Sequence, residues 1–296
     1  MPKITVNGVS LAYEIVGENG PPVIFQDTVF ARNPFSYFFA GRMSSSCRVL
    51  LLDRRNRGAS DIAIEDTPCL GYHYTDDLHH VLQGLNMSPA YVGGGAMGAS
   101  YALLMAHRYP EDVKGLILGH IATDDRGIQQ NVLDRIYFRF ADIAETQGMQ
   151  SVIADSQKAY LEGDRIMHWV AKTVAANPSN RDRLLAMNPK EFAAIIRKWG
   201  EWALSERLPL ANLPDEELNR ITVPAIVAHG FDPGHPEHTA RQVYEHLPNA
   251  EWVDYSKRFS PEKLKEMTAE SCTPVERLAV AMPYYENFIK RVEAES

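Results

Sequence analysis

Residues 92–110 read VGGGAMGASYALLMAHRYP. Val92 continues a short apolar run from Ala90 and Tyr91. Three glycines follow, and an Ala-, Leu- and Met-rich segment from Met97 ends at Arg108-Tyr109-Pro110. The pattern predicts a buried strand, a sharp turn and a helix. Glycines suit such a turn, because a residue without Cβ takes backbone conformations closed to others and lets a helix approach a strand closely. Pro110 cannot continue the helix.

Similar alternation extends on both sides. Asn7-Gly8 lies between the strand-like stretches 4–6 and 10–16, the strongest short hairpin signal. Val23-Ile24-Phe25, residues 48–52 (RVLLL), 113–118 (VKGLIL) and 223–228 (VPAIVA) are apolar runs of the kind buried on both faces, and Trp252-Val253 marks a further candidate. Between them, residues 74–85 carry Leu78, Val81, Leu82 and Leu85 on one helical face. Residues 236–247 begin with a Pro suited to a first helical turn, and 274–292 predict a helix broken or kinked at Pro283. Strands alternating with helices imply a mostly parallel sheet covered on both faces. The alternation stops after about residue 125. Residues 126–215 have helical patterns, no clear strand, and many aromatics, among them Tyr137, Phe140, Trp169, Phe192, Trp199 and Trp202.

Composition narrows the function classes. The chain has 296 residues, 45% apolar and 23% charged, an ordinary globular balance. It has no apolar run long enough to span a membrane. The start, Met1-Pro2-Lys3, lacks a signal peptide's apolar core, so a cytoplasmic location is expected. Net charge is −8, which argues against nucleic acid and anionic membrane surfaces as partners. Cys47, Cys69 and Cys272 are widely spaced with no CxxC, so no metal site is expected. Gly93, Gly95 and Gly98 only echo a dinucleotide fingerprint, and no acidic ribose ligand follows at the right place, so no cofactor is expected. The expected partner is a small-molecule substrate or ligand. Monomer and homodimer both stay open.

Gly94-Gly95-Ala96-Met97-Gly98 resembles the G-x-S-x-G nucleophile elbow of the α/β-hydrolase superfamily. Residues 53–60, DRRNRGAS, look like that family's D-x-x-G-x-G-x-S loop, with Asn56 at the first Gly. Residues 108–118 are similar to its exit from the elbow helix, and 221–232 to its seventh strand and acid-bearing loop. The resemblance implies an α/β-hydrolase fold: a mostly parallel sheet of about eight strands, a core over 1–125 and 216–296, and a helical cap over 126–215. It departs from the family where the chemistry lies. Ala96 stands at the nucleophile position and cannot form an acyl-enzyme. No His occurs from Glu251 to the end. Gln26-Asp27-Thr28 replaces the usual His-Gly of the oxyanion loop. Asp232, at the acid position, matches.

The candidate catalytic residues are therefore Asp232, His120 and Asp27, expected to converge beside Ala96 at the C-terminal edge of the sheet. Gln26, Gly95 and Met97 are expected on the substrate side. Each has a plainer reading. Asp232 can be a turn residue before Pro233-Gly234, Asp27 can face solvent, and the His120 ring can bond a backbone carbonyl. His235 can cap a helix or face solvent, His229 can be a supporting residue, and His79-His80 a solvated helix face. Arg54, Arg55 and Arg57 either receive an anionic substrate or are tied to carboxylates such as Asp53 or Asp61. Ala96 is either native or an engineered Ser→Ala change, and the missing His argues for native. The functional expectation is an enzyme acting on a small, partly apolar organic molecule, by hydrolysis or lyase-type cleavage, without a conventional Ser-His-Asp triad. The alternatives are a non-catalytic ligand-binding protein of the same fold and a Ser-to-Ala variant of a serine hydrolase.

Overall fold

Asn7 and Gly8 adopt φ values of 49° and 74°, the positive pair that a two-residue hairpin turn needs. Around this turn β1 (Lys3–Val6) and β2 (Val9–Val16) pair antiparallel. The computed structural model describes residues 1–26, 33–164, 168–267 and 273–295, so Asp27 and Cys272 lie outside the described residues. β3 (Pro22–Gln26), β4 (Arg48–Leu52), β5 (Ala90–Gly95), β6 (Val113–Gly119), β7 (Ala225–Ala228) and β8 (Ala250–Trp252) complete an eight-stranded sheet. Its order is β1-β2-β4-β3-β5-β6-β7-β8. β2 runs antiparallel to β4, and all later pairings are parallel.

Period-two alternation divides the core. Val23, Phe25, Tyr91, Ile117 and Ile226 pack on the face that carries α1 (Pro34–Met43) and α13 (Pro274–Glu295). Ile24, Val92, Leu116, Leu118 and Val227 pack on the opposite face, under α2 (Leu70–Gly84), α3 (Met97–Arg108) and α11 (Glu237–His246). Of the break or kink expected at Pro283, the break does not occur: α13 is one helix with Pro283 inside it. Its buried stripe of Leu278, Ala281, Met282, Tyr285, Phe288 and Ile289 offsets the hydrogen bond that the proline removes.

Between β6 and β7 the described elements are all helical: α4 (Arg126–Leu133), a π-helical stretch (Asp134–Phe138), α5 (Arg139–Gln147), α6 (Met149–Leu161), α7 (Trp169–Ala176), α8 (Ser179–Leu185), α9 (Pro189–Ala203), a 3-10 turn (Leu208–Leu210) and α10 (Asp215–Leu218). Asn180 ties this stretch to the loop after β4. It accepts from Ile62 N–H at 2.8 Å and donates to the Ser60 carbonyl at 2.8 Å. Asp61 adds bonds to Asn177 at 3.0 Å and Arg183 at 2.8 Å. The last short helix is α12 (Pro261–Met267). Among the described residues no helix is long and apolar enough to cross a membrane.

The β5–α3 turn is tight. A Cβ on Gly94 would lie 2.5 Å from the Gln26 carbonyl oxygen and 2.6 Å from the Gly98 carbonyl carbon, both rigid backbone. At Gly95 the nearest atom would be 3.7 Å away. Gly94→Ala is therefore expected to destabilise by about 2–3 kcal/mol, and Gly95→Ala to stay within about 0.5 kcal/mol. Urea unfolding midpoints check this, and equal midpoints for the two variants would contradict the packing account.

Candidate active site

Ala96 joins β5 to α3 with φ 50° and ψ −127°, a conformation that costs an L-residue of order 1–3 kcal/mol. Its N–H donates to the His120 carbonyl at 2.8 Å, and its own carbonyl accepts from Ala99 N–H at 3.0 Å. The turn is thus locked to the end of β6 on one side and to its own helix on the other. Met97 opens α3 and is buried, so its side chain packs in the core. What its position adds beside Ala96 is the positive end of a helix dipole.

His120 itself has φ 48°, and its N–H donates to the Ala228 carbonyl at 3.1 Å. The residue is 9% exposed. Both ring nitrogens are buried without a hydrogen-bond partner among the described residues, so the expected alternative, a bond to a backbone carbonyl, does not occur among them. Burial, then the charge of His235, holds the ring down to about 3, against the opposing pull of Asp232. His120 is therefore neutral near pH 7 and can accept or donate a hydrogen bond, but it is not a resident cation.

Asp232 uses both carboxylate oxygens. Oδ1 accepts from His235 Nδ1 at 2.9 Å and from Gly234 N–H at 2.9 Å. Oδ2 forms an ion pair with Arg277 of α13. Burial works to raise this carboxyl. The hydrogen bond from His235 and the charges of His235 and Arg277 outweigh it and bring the group down to about 2. Asp232 thus stays ionised. A carboxylate only accepts hydrogen bonds, so His235 Nδ1 carries the proton and Nε2 is the acceptor nitrogen of the neutral ring. The His235 ring lies edge-on to His120, with centroids 6.1 Å apart.

His235 and Arg277 are the functional candidates that sequence reasoning missed. The signal for His235 was present. Pro233-Gly234 is a turn dipeptide, and His235 N–H closes the turn on the Asp232 carbonyl at 2.9 Å. Such a turn brings its first and fourth residues side by side. Arg277 lies 45 residues from Asp232 in sequence, and no local pattern joins them.

The other candidates are placed as follows. Gln26 ends β3, and its Nε2 donates to the Leu52 carbonyl at 3.3 Å. Its buried Oε1 has no partner among the described residues. Gly95 pairs with Gly119 at the end of the β5–β6 ladder. Asp27 lies outside the described residues. His229 stacks on Trp252 at 5.7 Å, with Nδ1 on the Gly230 carbonyl at 2.7 Å. His79 is no solvated face: its Nδ1 meets the buried Asp112 carboxylate at 2.5 Å. Arg55 is tied to carboxylates, but to Asp77 (2.6 and 2.7 Å) and Glu65 (2.9 Å), not Asp53 or Asp61. Arg54 and Arg57 lie against aromatic rings.

A glycine-dense turn between a parallel strand and a buried helix, in an eight-stranded and mostly parallel sheet, is the framework of one class of protein, and the comparisons agree on that fold. The model of the alpha/beta hydrolase fold family matches residues 32–258, and the chain belongs to that family. No curated protein matches it. Among solved structures it is similar to the enol-lactonase from Burkholderia xenovorans LB400, at 20% identity, TM-score 0.59, over 98% of this chain and 100% of that one. It is also similar to a malate-bound thermophilic esterase from Thermogutta terrifontis, at 16% identity, TM-score 0.61, over 99% of each chain. A third is an N-formylmaleamic acid deformylase from Pseudomonas putida S16 carrying a serine-to-alanine substitution, at 17% identity, TM-score 0.54, over 86% of this chain and 91% of that one. At these identities the likeness is one of fold.

The position of His120 has a consequence for stability. The unfolded ring binds a proton near pH 6.5 and the folded ring only near about 3. Between those values the unfolded state holds more protons, so stability is full above pH 6.5 and falls as pH drops through the window. Asp232 acts in the same direction but lower, between 3.8 and about 2. His120→Gln is expected to remove most of the loss between pH 7 and 4.5, read as urea midpoints. The wild-type ring is expected to stay neutral by NMR at pH 5. Titration of His120 near 6.5, or an unchanged midpoint slope in the variant, would contradict this.

Proposed function

We propose that the chain is an enzyme acting on a small, partly apolar organic molecule, by hydrolysis or lyase-type cleavage, through acid–base chemistry rather than a serine nucleophile. The observation that carries this is the Asp232–His235 bond facing the buried, unbonded ring of His120. Asp232 orients His235 and stabilises it when it becomes protonated, the role an acid plays toward a catalytic histidine. His235 Nε2 then takes a proton from water or from the substrate and returns it to the leaving group. Neutral His120, packed edge-on to His235, places no competing charge beside it. The N-terminus of α3 at Met97 stabilises negative charge that develops beside Ala96. In this reading residues 126–215 act as a cap over the crevice, and the triad is degenerate at Ala96. General acid–base catalysis of this type contributes about 10²–10⁴-fold.

A second reading draws on one observation. Ala96 keeps a positive-φ turn that an alanine does not need, as a Ser-to-Ala form of a serine hydrolase would. One assay separates the two. Turnover of aryl acetates, lactones and β-diketones is measured for the wild type, His235→Ala, Asp232→Asn and Ala96→Ser. The proposal expects wild-type turnover, a loss of at least about 10²-fold in His235→Ala, a parallel loss in Asp232→Asn, and no acyl-enzyme burst in Ala96→Ser. An inert wild type with a stoichiometric burst in Ala96→Ser would establish the second reading. Turnover unchanged by His235→Ala would overturn the first.

A further inference from the structure

A cleft of about 580 Å³ opens between the ends of β7 and β8 and the helices α11 and α12. That volume suits a small molecule. The cleft adjoins the loop that carries Asp232 and His235, yet Ala96, His120, Asp232 and His235 are not part of its lining. Among the described residues its walls are Phe231, Val253, Tyr255 and Leu264, with the rings of His229 and Trp252. His229 is half-buried. Its ring stands edge-on to Phe231 at 5.1 Å and to Tyr255 at 4.9 Å, and stacks on Trp252. Nδ1 meets the Gly230 carbonyl at 2.7 Å. A carbonyl oxygen only accepts, so Nδ1 carries the proton and Nε2 is the acceptor of the neutral ring. Nε2 has no hydrogen-bond partner among the described residues, and it is not shut away from solvent as the two His120 nitrogens are.

We propose that this cleft binds a small neutral phenol, with its ring among the apolar and aromatic walls and its hydroxyl donating to His229 Nε2. The charged groups of the lining already have partners of their own. Arg241 lies 3.9 Å over the Trp252 ring and pairs with Glu237 at 2.8 Å. Asp254 Oδ1 accepts from Ser256 N–H at 3.1 Å and from the Ser256 hydroxyl at 2.6 Å. An anion entering here meets the carboxylates of Glu237 and Asp254, and a cation meets Arg241. Either would give up its hydration without an unanswered opposite charge to receive it, so the lining favours a neutral molecule. His229 Nε2 calls for a hydrogen-bond donor, and a phenolic O–H is one. The aromatic ring of a phenol adds edge and face contacts with Phe231 and Tyr255 that a saturated ring does not make. The acceptor is also held in place beforehand. The Gly230 bond fixes the tautomer and the Trp252 stack fixes the ring, so little order remains to be gained when a ligand arrives.

The site does not depend on the proposed reaction, and its test reads binding alone. Phenol, anisole, cyclohexanol, benzoate and benzylammonium are titrated into the full chain at about pH 8, where phenol and an ordinary imidazole are both neutral. Affinity is read by saturation-transfer NMR on the ligand, and contact by the His229 nitrogen resonances in protein labelled at histidine nitrogen. Phenol is expected to bind at least about threefold more tightly than each of the other four, the size of effect that one hydrogen bond gives. It is expected to move the Nε2 resonance of His229, which anisole leaves in place. His229→Phe keeps a ring and removes the acceptor, and is expected to bring phenol down to the affinity of anisole. Absence of phenol binding, binding of any of the other four as tight as that of phenol, or full phenol affinity in a folded His229→Phe would overturn the proposal. Should His229→Phe not fold, the wild-type spectrum decides: an Nε2 resonance that phenol does not move would overturn it.

Discussion

The close approach of backbone to backbone around Gly94 is the constraint on which the site depends. Here the end of β5, the carbonyl of Gln26 at the end of β3 and the first turn of α3 at Gly98 come together with no room for a Cβ. The same approach fixes Ala96, whose amide is tied to the carbonyl of His120 at the end of β6. Three strand ends and one helix N-terminus therefore meet at a single point, because parallel strands place their C-terminal ends on one edge of the sheet. Strain at Ala96 is tolerated because the surrounding ladder overdetermines it.

Around that point, charge is distributed by burial and partners. Asp232, with both oxygens engaged, remains an anion and has no free role as a proton carrier. Its grip on Nδ1 makes Nε2 of His235 the basic nitrogen. His120, close by but deeper, is kept neutral because water does not reach it and positive neighbours disfavour a second cation. Two imidazoles 6.1 Å apart thus differ through environment alone, one held by an acid and one kept without charge. On the β4 side, Arg54 lies against the rings of Tyr74 and Tyr101, and Arg57 lies over Trp169 and donates to the Asn56 carbonyl.

Much of the framework was legible in the sequence. Residues 90–110 announced the strand, the turn and the helix, and the apolar runs from Val23 to Trp252 marked the parallel strands, since a strand buried on both faces needs continuous apolar residues. Pro283 does not end α13, because the apolar stripe that the helix buries offsets the hydrogen bond that the proline removes. The site was read less completely. Topology alone put Asp232 and His120 at the same edge of the sheet, where the structure has them as neighbours. His235 was passed over although Pro233-Gly234 forces it back onto Asp232. Arg277 and the pairing of Arg55 with Asp77 depend on tertiary neighbours that no spacing encodes. No histidine follows Glu251, and the ring that Asp232 meets is that of His235, three residues on in the same loop.

The most direct test of the account is the protonation pattern of His235, read from long-range proton–nitrogen NMR correlations in protein labelled at histidine nitrogen. The account expects a protonated Nδ1 with a downfield proton held by Asp232, an Nε2 that is the nitrogen to gain and lose the titrating proton, and loss of the downfield proton in Asp232→Asn. A neutral His235 with its proton on Nε2, or a spectrum unchanged by Asp232→Asn, would contradict it.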